Sequence, residues 1–100
     1  MIRYKFEEEL AYLIYYANKL KNERILEILK CGEVKRSEEA ISLSEFFWHM
    51  VDLSIEDEQS GNELPWEEGA EFWNEKIMNS ISGYLERAGY EKEWDEVADR

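Results

Sequence analysis

Apolar residues recur along most of this chain at the three- and four-residue steps of amphipathic helices, and no segment alternates persuasively with the two-residue step of a strand. The densest stretch is ISLSEFFWHMVDLSI, from Ile41 to Ile55. Within it Leu43, Phe46, Phe47, Met50 and Leu53 form one stripe, and Trp48, Val51 and Ile55 extend the apolar surface almost round the cylinder. Only the row Glu45, His49, Asp52 and Glu56 is polar. Ser42 and Glu45 have the spacing of a capping box, and Ile41 and Phe46 stand at hydrophobic-staple positions, so a helix is predicted from about residue 43 to 56. Such a helix needs neighbours on most sides, and the other helices are predicted to be its covers.

Ahead of it, Phe6, Leu10, Leu13, Ala17 and Leu20 predict a helix over about residues 3–20. Tyr12 and Tyr16 fall on the flank of that stripe, with Tyr4 and Tyr15 roughly opposite. Asn22 can cap a new start, after which Ile25, Leu26, Ile28 and Leu29 give a short apolar face that stops before Gly32. This piece is either a second helix or a bent continuation of the first. Residues 33–39 read as a loop with at most one turn from Ser37, and residues 56–64, EDEQSGNEL, as a linker.

Pro65 suits the first turn of a helix. From there Trp66, Ala70, Trp73, Ile77, Ile81, Tyr84 and Ala88 carry the strongest periodic signal in the chain. Gly89 is placed for a left-handed stop, with Tyr90 folding back on Leu85. Tyr90, Trp94 and Val97 then mark a short last helix. The fold class expected is all-α: a compact single-domain bundle of four to five helices over residues 1–100, built round a buried central helix at about 43–56.

Charge changes this picture more than composition does. The net charge is −12, but residues 1–50 hold nine acids and eight bases, whereas residues 51–100 hold fifteen acids and four bases. The second half therefore carries a field that attracts basic partners and repels nucleic acid and anionic lipid. Direct nucleic-acid binding and membrane binding are not expected. Residues 1–9 are crowded with charge rather than apolar as in a signal peptide, and no apolar run approaches a membrane span, so the cytoplasm is the expected location. The single Cys31 excludes an internal disulfide and reads as a small buried hydrophobe.

Catalysis has little to stand on. His49 is the sole imidazole, the five glycines are scattered, and with 24 acids in 100 residues some carboxylate pair falls at any chosen separation. Glu45, His49, Asp52 and Glu56 share a helix face and could in principle touch a metal, but no second histidine completes a site. The reading is that the protein is not an enzyme and needs neither metal nor cofactor.

The outward face of the fourth helix is the stronger candidate. Glu67, Glu71 and Glu75 form a ladder with rungs about 6 Å apart along the axis, and Glu68, Asn79, Ser82 and Glu86 share the face. Phe72 stands among these groups as an aromatic with a charged rim, the pattern of an interface anchor. Otherwise it is covered by the C-terminal tail through Trp94, or by a second copy of the chain. The site expected to bind a partner is thus Glu67, Glu68, Glu71, Phe72, Glu75, Asn79 and Glu86.

Rows of carboxylates on a stiff frame can imitate duplex phosphates, which carry about one charge per 1.7 Å of axis. In size, charge and helicity the chain is similar to the small acidic proteins with which phages block restriction or CRISPR enzymes, and to immunity proteins that neutralise nuclease toxins. That similarity implies an inhibitor or decoy for a basic nuclease or nucleic-acid-binding protein. The other reading is a helical interaction module, or a homo-oligomeric subunit such as a homodimer, joined through an aromatic surface of Tyr4, Tyr15 and Phe72.

Overall fold

Helix boundaries here follow from identifiable local chemistry, and they order the bundle. A computed structural model describes residues 7–61 and 68–100. These form α1 (Glu7–Lys19), α2 (Glu23–Cys31), α3 (Ser37–Gln59), α4 (Ala70–Ala88) and α5 (Glu91–Ala98), with no strand among them.

Between α1 and α2 the chain reverses at Lys21, held at φ 55°. The Asn22 N–H donates to the Ala17 carbonyl at 2.9 Å and the Lys21 N–H to the Asn18 carbonyl at 3.0 Å, the paired bonds of a Schellman stop. The Asn22 side chain then accepts from the Ile25 N–H at 3.1 Å and opens α2. The two helices are therefore separate, and the helix-breaking residue is a lysine that nothing in the sequence marks. Gly32 at φ 74° ends α2. Cys31 is exposed, contrary to the buried hydrophobe expected, because it lies off the stripe of Ile25, Ile28 and Leu29 that faces the core.

The central helix is longer at both ends than its sequence pattern suggests. It begins at Ser37, so the last three residues of the expected loop are helical and Ser42 is an interior residue rather than a cap. Burial explains the extension: Ala40, Leu43, Ser44 and Phe47 make one continuous buried strip, so the first turn gains packing that a start at residue 43 would forfeit. Glu39 reaches back to accept the Lys35 N–H at 2.8 Å, a back-bond at the helix start like the one expected of Glu45. At the other end residues 56–59 remain helical instead of beginning the linker. Asp57 secures that turn, being 5% exposed and bonded to Lys19 Nζ at 2.7 Å and to the Tyr16 hydroxyl at 3.3 Å.

Helix α4 starts at Ala70, after Gly69 in an extended conformation. Pro65 and Trp66, expected in its first turn, lie outside the described residues. The Glu58 carboxylate of α3 accepts the Ala70 N–H, which ties the end of one helix to the start of the next and sets a negative group at the positive end of α4. At the far end Gly89 adopts φ 90°. The Tyr90 N–H returns to the Leu85 carbonyl at 2.7 Å and the Gly89 N–H to that of Glu86 at 3.2 Å, a second Schellman stop.

Helices α2, α4 and α5 all pack on α3, while α1 lies against α2 and α4. The core joins Leu43, Phe46, Phe47 and Met50 of α3 to Trp73, Ile77, Ile81 and Leu85 of α4, with Trp94 from α5. Tyr12 and Tyr16, assigned to a flank by the pattern, are fully buried at its centre together with Tyr84. Each finds polar company. The Tyr84 hydroxyl accepts the Val34 N–H at 2.8 Å, and the Tyr12 and Tyr16 hydroxyls sit beside Ser54 and Asp57. No helix of the described residues is long and apolar enough to cross a membrane.

Candidate functional site

The start of α4 decides what becomes of the expected acidic ladder. Glu67 lies outside the described residues, and Glu68 sits in the bend before the helix. Of the expected ladder, the described residues hold one helical step, Glu71 to Glu75, with Glu68 ahead of it. Glu68, Glu71, Phe72, Glu75, Asn79 and Glu86 are all exposed. Among the described residues no lysine or arginine forms an ion pair with Glu68, Glu71, Glu75 or Glu86; the cations pair elsewhere, as Lys19 with Asp57, Arg24 with Glu38, Lys76 with Glu9 and Arg100 with Glu45. Between Arg36 and Lys76 the sequence contains no lysine or arginine at all. The nearest cation in sequence to Glu68, Glu71 and Glu75 is Lys76, and it pairs with Glu9 at 4.0 Å.

Phe72 is 49% exposed. Its ring meets Trp73 edge-on, with centroids 5.5 Å apart, and Lys76 Nζ lies 6.0 Å from its centroid. Trp94 does not cover it, since that indole packs against Phe47 at 5.5 Å and Trp48 at 5.9 Å. Tyr4 is outside the described residues, and Tyr15 is half-buried, edge-on to the Tyr16 ring at 5.0 Å.

The row Glu45, His49, Asp52 and Glu56 is exposed along its length. Glu45 turns to Arg100, with 2.6 Å between Oε2 and the guanidinium. No cluster of three or more metal-ligating side chains occurs among the described residues.

What the pattern did not reveal is a groove between α3 and α4. Its volume is about 460 Å³, and its wall on α3 is Phe47, Trp48, Val51 and Ile55, followed by Glu58 and Gln59. On α4 the wall is Ala70, Glu71, Asn74, Glu75 and Met78. The apolar side of α3 that was expected to be covered is therefore partly open, and Ile55 is 43% exposed. Trp94 of α5 stacks on Trp48 at 5.9 Å, whereas Val51 and Ile55, further along α3, line the groove wall. Glu71 and Glu75 belong both to this groove and to the outward face of α4, so apolar channel and carboxylate row are one continuous surface.

Beneath the groove runs a buried polar chain. Asn74 donates to Ser54 Oγ at 2.9 Å, and Ser54 neighbours Tyr12, which neighbours Tyr16. Tyr16 in turn donates to Asp57, which holds the Lys19 ammonium. Burial pushes the Tyr12 and Tyr16 phenols above their ordinary range, and Tyr16 is pushed further by Tyr12 and the Asp57 carboxylate. The hydrogen bond to Asp57 raises the Lys19 ammonium likewise. Phenols held neutral in this way make the chain a structural tie across α1, α3 and α4.

No family model matches this chain, and neither does any curated protein or solved structure. Its function has to be argued from this surface.

Proposed function

We propose that this protein is a non-catalytic cytoplasmic inhibitor, which occupies the basic surface of a nuclease or other nucleic-acid-binding protein and blocks it by setting carboxylates where phosphates would lie. The observation that carries this reading is the exposed row Glu68, Glu71 and Glu75, free of ion pairs among the described residues, with the half-exposed Phe72 at its edge. Such a row raises the encounter rate with a cationic surface, and a neighbouring aromatic supplies contact that charge alone does not. Anti-restriction, anti-CRISPR and toxin-immunity proteins are the classes of inhibitor that this describes.

A second reading, a helical interaction module joined through apolar contacts, is favoured by the open groove between α3 and α4. Salt separates the two. A charge-led complex weakens steeply as ionic strength rises, whereas an apolar one does not. The test is affinity capture from extract with a salt-gradient elution, followed by assay of the captured nuclease or nucleic-acid-binding protein. Inhibition by the native protein and its loss in the combined Glu68→Lys, Glu71→Lys and Glu75→Lys variant are expected. Unchanged affinity in that variant overturns the proposal.

A further inference from the structure

An apolar channel bordered by carboxylates selects its occupant from both sides. Val51, Ile55 and Met78 offer a surface that water covers poorly, while Glu58, Glu71 and Glu75 stand along its margins. On α3 the channel wall extends from Phe47 to Gln59, a length of about 18 Å at 1.5 Å per residue. That is about three turns of a helix lying alongside, the footprint of helix-in-groove recognition with anchors at i, i+3 or i+4 and i+7. An elongated, partly open channel suits a helix better than an enclosed small molecule.

Charge then chooses among helices. A second copy of this chain laid into the groove would bring Glu71 and Glu75 against like charges, and an acidic segment would be repelled in the same way. A neutral apolar helix would strip water from carboxylates without replacing it. A helix with leucine or aromatic anchors flanked by lysine or arginine satisfies both surfaces at once. We infer that the α3–α4 groove docks a basic amphipathic helix of the partner protein, with its apolar face against Val51, Ile55 and Met78 and its cations on Glu58, Glu71 and Glu75. This rests on the reading of a basic partner and adds to it which element of that partner is held.

The experiment uses the intact protein and three synthetic helical peptides of equal length. One has leucines at i, i+3, i+4 and i+7 among lysines, one replaces the leucines by serine, and one replaces the lysines by glutamate. Binding is measured by titration calorimetry and by amide chemical shifts. The leucine–lysine peptide is expected to bind at least tenfold more tightly than either control, and to move resonances of Val51, Ile55 and Met78. Ile55→Gln, at an exposed helical position, should weaken it about tenfold, and Met78→Gln provides an independent check at the opposite wall; retained helicity by circular dichroism qualifies each variant. Equal binding of the serine–lysine peptide, with no effect of either variant, overturns the groove while leaving the charge reading intact. Equal binding of the glutamate peptide, or no binding by any peptide, overturns it as well. A dimer of the native chain that Ile55→Gln dissociates assigns the groove to a second copy, and that too refutes the inference.

Discussion

Replacing Asp57 by alanine takes away the acceptor through which two side chains of α1 are held to α3. The carboxylate is 5% exposed and receives the Tyr16 hydroxyl at 3.3 Å and Lys19 Nζ at 2.7 Å. Tyr16 is fully buried, so its hydroxyl loses this partner inside the core, at a cost of about 1–3 kcal/mol. The Lys19 side chain is 38% exposed and regains water easily, so the lost ion pair adds about 1 kcal/mol at most. Together these give a destabilisation of about 1–4 kcal/mol, or roughly 5–30 °C in melting temperature for a domain of this size. Asp57→Asn keeps the shape and an acceptor for Tyr16, and should cost about half as much. Urea unfolding followed by far-ultraviolet circular dichroism measures both, with an unchanged slope showing that the same surface is exposed. Were Asp57→Ala to cost less than about 0.5 kcal/mol, the level of an ordinary surface substitution, the polar tie would not hold α1 to α3.

Alkaline pH tests the same interior from the opposite direction. Tyr12, Tyr16 and Tyr84 are raised chiefly by burial, and Lys19 by its hydrogen bond to Asp57. Each folded-state pKa lies above its unfolded value, so the stability linked to these groups is whole below about pH 10 and is lost as pH rises toward the folded values, by up to about 1.4 kcal/mol per pH unit for each tyrosine. Urea midpoints measured across that range should fall, and Tyr16→Phe should flatten the decline; a level profile contradicts the assignment. Lys21→Gly should stabilise the protein by about 0.5–1 kcal/mol, since a non-glycine residue is strained at φ 55°. A drop in its urea midpoint would show that the lysine side chain contributes more than the backbone strain costs.

The periodic signal from Trp66 to Ala88 foretold α4 and its left-handed stop because one face of the helix is buried from Ala70 to Leu85; the first residue of that signal, Trp66, lies outside the described residues. Asn22 and Gly32 were equally legible as cap and stop, since their chemistry is local. Misreadings arose where distant contacts overrode local patterns. Ser42 and Glu45 look like a cap in isolation, yet burial of Ala40 carries the helix past them. Asp57 looks like part of a polar linker until Lys19 and Tyr16 arrive from α1. For the site, the exposed carboxylates and Phe72 could be read from spacing alone. The groove could not, because an apolar run encodes the wish to be covered but not which neighbour covers it. Ile55 is the residue that records the difference.

Glu58 has one carboxylate oxygen committed to the Ala70 N–H, and it also lines the channel. A carboxylate offers about four lone-pair sites, so the same group can hold the start of α4 and still greet an incoming cation. Because its rotamer is settled as the chain folds, a visitor finds at least one negative contact already aimed, with no side chain left to immobilise there. On the proposed docking, tethering of this kind would make a helix cap the fixed jaw of a clamp.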